Sequence, residues 1–180
     1  MEDYLSKSLD LRRKAGQSIE KAEYLLTKLY PSVNDPKLLI AFAENIFLAL
    51  SYSLGALLNY ELKFNRIPIF KEDFDGKYDA FDKKVALRYG FDKTYNHLMI
   101  RIRDLIMKHK DSPVEFARKN KYVICDDKYD AETLSQAKCM MYLDKTKDFY
   151  KKVYEITDKE EHIFGMRSQF KREERRKRYI

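Results

Sequence analysis

Apolar side chains return at steps of three and four along the first stretch of the chain. Leu5, Leu9, Ala15, Ile19, Ala22, Leu26 and Leu29 follow this rhythm, with one longer step after Leu9. The period is helical and predicts an amphipathic helix over about residues 2–29. The segment YPSVNDP ends it. Asp35 ahead of Pro36 is an N-cap followed by a proline at the first helical position, which opens a second helix running to about residue 64. The segment NRIPIFKEDFDGKYD, with Pro68, Gly76 and several acids, predicts a crossover loop within one domain. A shorter helix follows over about residues 78–89, and Gly90 breaks it. Asp92 caps a helix over about residues 93–110 whose apolar positions are Leu98, Ile102, Leu105 and Ile106. Ser112 and Pro113 stop that helix and start a short one, VEFARKN. KYVICDDKY is the strand-like stretch, expected as a small hairpin or an extended excursion near residues 121–129. Asp130 then caps a last long helix over about residues 131–157, with Leu134, Ala137, Met141, Leu143, Phe149, Val153 and Ile156 on its buried side. The fold expected from this pattern is all-α, an up-and-down bundle of four to five main helices.

The centre of the second helix, Leu38 to Leu58, is long enough to span a bilayer. Glu44 and Asn45 near its middle argue otherwise, since an ionised side chain at that depth costs about 3 kcal/mol. A buried central helix of a soluble bundle is the expectation, with no membrane partner.

Composition sharpens this. With 44% apolar and 36% charged residues but only 5 Gly and 4 Pro, the chain favours long helices over a sandwich or barrel. Its 180 residues suit a single domain, expected over residues 1–165, with a basic C-terminal tail over 166–180. The run KREERRKR from Lys171 to Arg178 holds six bases against two acids and so carries more than half of the net charge of +7. Such a run is a solvated end or an electrostatic arm for RNA phosphates. Cys125 and Cys139 stand far apart with no metal-type spacing to a histidine, and the acidic, amphipathic first residues lead to no expectation of export. A reduced, cytoplasmic protein without a metal site or cofactor is expected.

No glycine-rich phosphate loop, GxSxG turn or HExxH helix occurs in the sequence. His97 and His162 read as surface or boundary residues. His109 has more telling company in RDLIMKH, where Arg103 is followed by Asp104 and five residues separate the arginine from the histidine. The chain resembles the HEPN-domain family on this motif, R-x(4–6)-H with Asn, Asp or His commonly after the arginine. The order of a long amphipathic helix, a long apolar helix and a late motif-bearing helix is similar as well. The resemblance covers roughly residues 1–157. It implies a small helical bundle, a homodimer, and metal-independent cleavage of RNA by Arg103 and His109 at the dimer interface, in a toxin, stress or defence setting. An alternative implication is a non-catalytic module that binds a nucleotide or a partner nucleotidyltransferase.

The chemistry of the residues themselves is compatible with either. An imidazole can take a proton from a ribose 2′-hydroxyl or return one to a leaving oxygen, and a guanidinium can brace a phosphate through paired hydrogen bonds. Asp104 can hold the arginine or histidine in place, or pair with Lys108 four residues on. Lys108, Lys110 and Arg101 are the expected phosphate-binding neighbours. One geometric difficulty is visible already. Six helical residues turn through about 600°, which leaves Arg103 and His109 about 120° apart. The helix must end by His109, or a second protomer must complete the site.

Overall fold

The computed structural model describes residues 3–128 and 130–158. Asp3 caps the first helix, α1 (Tyr4–Tyr24), by accepting a hydrogen bond from the Ser6 amide at 3.2 Å. The helix does not stop where YPSVNDP was expected to end it. A wide π turn over Leu25–Leu29 leads into α2 (Tyr30–Val33), which contains Pro31. Proline lacks an amide hydrogen and crowds the carbonyl four residues back, and the widened turn before it absorbs both effects. Asn34, at φ +53°, finally ends the helix.

Asp35 accepts from the Lys37 amide at 2.9 Å and sets the start of α3 (Leu38–Lys63). This helix is the axle of the molecule. Every residue from Ser53 to Glu61 is buried, and α1, α5 and α6 all pack on it. By length and composition α3 could cross a membrane, and half of its most apolar window lies buried inside the protein.

Asp73, rather than a residue near Tyr78, caps the next helix, α4 (Phe74–Ala80), through the Gly76 amide. A second π turn, Phe81–Val85, follows, and Gly90 takes φ +59° before α5 (Lys93–Asp111). Asp92 caps α5 through the Thr94 amide at 2.7 Å, as its position predicted. Phe81, Phe91, Tyr95 and Phe149 interlock between α5, α6 and the second π turn, with ring centroids 5.0–5.8 Å apart.

The expectation of an all-α bundle is overturned. Residues beyond α5 form a three-stranded antiparallel sheet of β1 (Val114–Arg118), β2 (Lys121–Cys125) and β3 (Ala131–Ser135), in that order. VEFARKN, expected as a short helix, supplies β1. Seven residues after a proline are too few for a stable isolated helix, whereas a strand finds its partner two residues on. The stretch 121–129 is therefore not an isolated excursion but the centre and one turn of the sheet. The last helix, α6 (Gln136–Asp158), starts five residues later than expected because ETLS is taken up by β3. Ser135 accepts from the Lys138 amide at 3.3 Å and takes the capping role assigned to Asp130.

Alternation decides which face of the sheet is dry. Tyr122, Ile124 and Leu134 join the core beneath it, while Phe116, Val123 and Thr133 are cross-strand partners on the opposite face.

Candidate functional site

All six residues of the expected site lie on α5, and that helix runs intact through Asp111. The first of the two geometric escapes is thus closed, because His109 stays in register with Arg103. The two side chains turn to different neighbours.

Arg103 points toward α4. Its Nη1 donates to Asp75 at 2.9 Å, and its Nε and Nη2 donate to Asp104 at 2.9 and 2.7 Å. These two carboxylates raise the guanidinium pKa further above its ordinary value, the Asp75 hydrogen bond being the larger cause. The arginine lines a cleft of about 630 Å³ whose wall also carries Asp73, Asp79, Lys83 and Lys84.

His109 points toward the sheet. Its Nδ1 lies 2.6 Å from Glu115 on β1, and the other carboxylate oxygen of Glu115 accepts from the Tyr122 hydroxyl at 2.8 Å. A carboxylate only accepts, so the proton of the neutral ring is assigned to Nδ1 and the lone pair to Nε2. Nε2 faces Glu44 of α3 at 3.9 Å. The side chain is a quarter exposed, so the ring is held yet reachable. The chain Tyr122–Glu115–His109 thus fixes both the tautomer and the orientation of an imidazole, which suits a general base or acid.

The remaining expected residues are dispersed. Asp104 holds Arg103, not Lys108. Lys108 bonds instead to Asp126 at 3.1 Å and to the Asp130 carbonyl at 3.0 Å, and these contacts, with the Asp130 amide, keep the Asp126 carboxyl below its ordinary range. Arg101 faces Glu132 at 3.6 Å and hydrogen-bonds Tyr142, away from His109. Lys110 is exposed, with no ion-pair partner among the described residues. His97 lies beside Arg101 in a separate cleft. His162 and the basic tail lie outside the described residues. No cluster of three or more potential metal ligands occurs among the described residues.

No family model, curated protein or solved structure matches the chain.

Sequence reasoning missed Glu115, Tyr122 and Asp75. Glu115 was hidden because it was read into a helix, where it would not turn back toward His109. The signal that could have found it is Pro113, which reverses the chain between the two residues. Also missed was a buried carboxylate, Glu61. It accepts from the Tyr89 hydroxyl at 2.6 Å and pairs with Arg66 at 3.3 Å and with Arg88.

Burial pushes the Tyr122 hydroxyl up to about 12, helped by its bond to Glu115, and pushes the Cys139 thiol up to about 12. Tyr89 is raised further, by burial and by Glu61. In each case the unfolded chain releases its proton first, so stability is full below about pH 9 and falls as pH climbs toward 12. Denaturant melts between pH 8 and about 11.5 are expected to show this decline. Tyr122→Phe is expected to flatten the upper part of it. A curve that stays level across this range would contradict the burial of these groups.

Proposed function

We propose that the chain is a HEPN-like, metal-independent endoribonuclease that works as a homodimer, with His109 as its proton-transfer group. The observation that carries the reading is the Tyr122–Glu115–His109 chain, which holds Nδ1 and leaves Nε2 as the reactive nitrogen. Nε2 removes the proton of a ribose 2′-hydroxyl. The freed oxygen attacks the neighbouring phosphorus, and the bond to the 5′-oxygen breaks as that oxygen takes a proton from the imidazolium so formed, directly or through water, leaving a cyclic phosphate. Arg103 braces the charge that builds on the phosphate. DNA lacks the hydroxyl and is spared. Because an intact α5 turns Arg103 and His109 apart, the arginine serving one histidine comes from the second copy.

A second reading has its own support. Arg103 is already engaged by Asp75 and Asp104, and Glu44 stands before Nε2. Residues so engaged suit a non-catalytic module that binds a nucleotide or a nucleotidyltransferase-type partner.

Labelled RNA incubated in EDTA separates the two. The wild type is expected to cleave it, and His109→Ala and Arg103→Ala to be slower by about 10²–10⁴-fold. Cleavage undiminished in both variants rejects these assignments, and none in any protein favours the binding module.

A further inference from the structure

The outer face of the sheet is a second site with a different character. Between the β1–β2 hairpin and the start of α6 lies a concavity of about 770 Å³, within the range of about 300–1,000 Å³ usual for ligand clefts. Phe116 stands on it, 42% exposed, directly across from Val123. Arg118, Lys119 and Lys121 rim it, while Thr133 and Gln136 offer hydrogen-bonding groups. No Asp or Glu is among the lining residues. This contrasts with α5, where Arg101, Arg103 and Lys108 each already have a carboxylate.

The hairpin concentrates positive charge against its own stability. Arg118 and Lys121 are direct cross-strand partners, and like charges placed opposite each other repel. Lys119 sits at φ +53°, a left-handed position that glycine or asparagine fills with less strain. None of the three cations has an ion-pair partner among the described residues. Tyr30 braces the turn by donating to the Asn120 carbonyl at 3.2 Å. A polyanion lying across the hairpin relieves the repulsion, and an exposed aromatic ring beside it offers a face for a planar base.

The charge also excludes two occupants. The chain's own C-terminal run KREERRKR is basic and is repelled by a basic rim. A second copy seated face to face would oppose like patches.

We infer that the outer sheet face binds single-stranded nucleic acid, with a base stacked on Phe116 and the adjoining phosphates on Arg118, Lys119 and Lys121. The choice of RNA over DNA rests on the ribonuclease reading; the stacking and phosphate contacts do not. The same strand that presents Phe116 outward presents Glu115 inward to His109, so β1 carries a residue of each proposed site on its two faces.

The test is fluorescence anisotropy of a short labelled single-stranded RNA with the full chain in EDTA, in a His109→Ala background that removes the proposed chemistry. Phe116→Ala is expected to weaken binding about tenfold and Phe116→Tyr to restore it. Arg118→Gln with Lys121→Gln is expected to weaken binding and to lower the slope of log affinity against log salt by about 1.4, at about 0.7 per phosphate contact. Affinity and slope unchanged in these variants overturn the proposal, since the RNA then binds elsewhere, on the basic tail for example. Equal dependence of phosphatidylserine vesicle binding or acidic peptide binding on Phe116, with no RNA binding, also overturns it. Absence of RNA cleavage by the wild type leaves the measurement standing, so the two readings fail separately.

Discussion

Replacing Arg66 and Arg88 together by glutamine is expected to cost about 3–5 kcal/mol of folding free energy, more than replacing Glu61 itself. The asymmetry follows from where the charge is buried. Glu61 is fully buried on α3, whereas the side chains of Arg66 and Arg88 remain 36% and 41% exposed. Glu61→Gln strands no ion in a dry place, because both guanidiniums can rehydrate. Its cost is a weakened set of hydrogen bonds around the Tyr89 hydroxyl, about 1–3 kcal/mol. Removing both arginines leaves a carboxylate inside the protein with the Tyr89 hydroxyl as its remaining donor among the contacts described. The arginines also lend packing, since Arg66 lies over the Phe64 ring at 4.6 Å. Denaturant unfolding of the variants gives the ranking directly. The double variant is expected to melt about 10 °C lower or more, at about 2–4 °C per kcal/mol for a chain of this size. A larger loss in Glu61→Gln than in the double variant would mean that the arginines, not the acid, carry the desolvation.

The second large effect concerns the proposed active site. Arg103→Ala and His109→Ala proteins, each slowed about 10²–10⁴-fold alone, are expected to regain about a quarter of wild-type RNA cleavage when unfolded together and refolded as an equal mixture. The figure comes from the geometry. In the proposed dimer the His109 of one copy is served by the Arg103 of the other, a reading that follows from the separation of about 120° around an intact α5. Random pairing makes about half of the dimers mixed, and each mixed dimer has one complete site of two. No recovery alongside an active wild type rejects completion of the site by a second copy. A strict monomer by sedimentation that still cleaves RNA rejects it as well.

The helices were readable because their signals are local. Asp92 stands one residue and Asp35 three residues before the helix that each announces, and the apolar run of α3 marks a long helix with much of its surface buried. The sheet was not readable for the opposite reason. AETLS contains Ala, Glu and Leu, all good helix formers, and it becomes a strand only because β2 is already beside it. VEFAR carries one turn of alternation, too little to outweigh a helical neighbour. That error propagated into the site. RDLIMKH was found from its spacing, but the groups that hold its histidine, Glu115 and Tyr122, sit on strands whose pairing no local pattern reveals. The membrane argument singled out Glu44 for its charge, and the structure sets that same carboxylate opposite His109 Nε2.

The arrangement around α3 also separates contacts that are near in sequence from contacts that span most of the chain. α1 and α3 are neighbours in sequence, linked through the π turn and α2, and share the most extensive interface among the described residues, and each hairpin of the sheet closes over a few residues. These units can form while the rest of the chain is still loose. α6 is different, because it must return across the length of the domain to lie on α1 and α3, and its Lys147 reaches back to Glu23 at 2.6 Å. Loop closure grows costlier with the logarithm of the intervening length. Docking of α6 therefore closes a longer loop than either hairpin and carries the larger entropic cost, and it is α6 that locks Phe149 among Phe81, Phe91 and Tyr95. A chain cut before α6 keeps every residue of RDLIMKH and its Glu115 brace, yet lacks the ring that closes the aromatic cluster at the other end of α5.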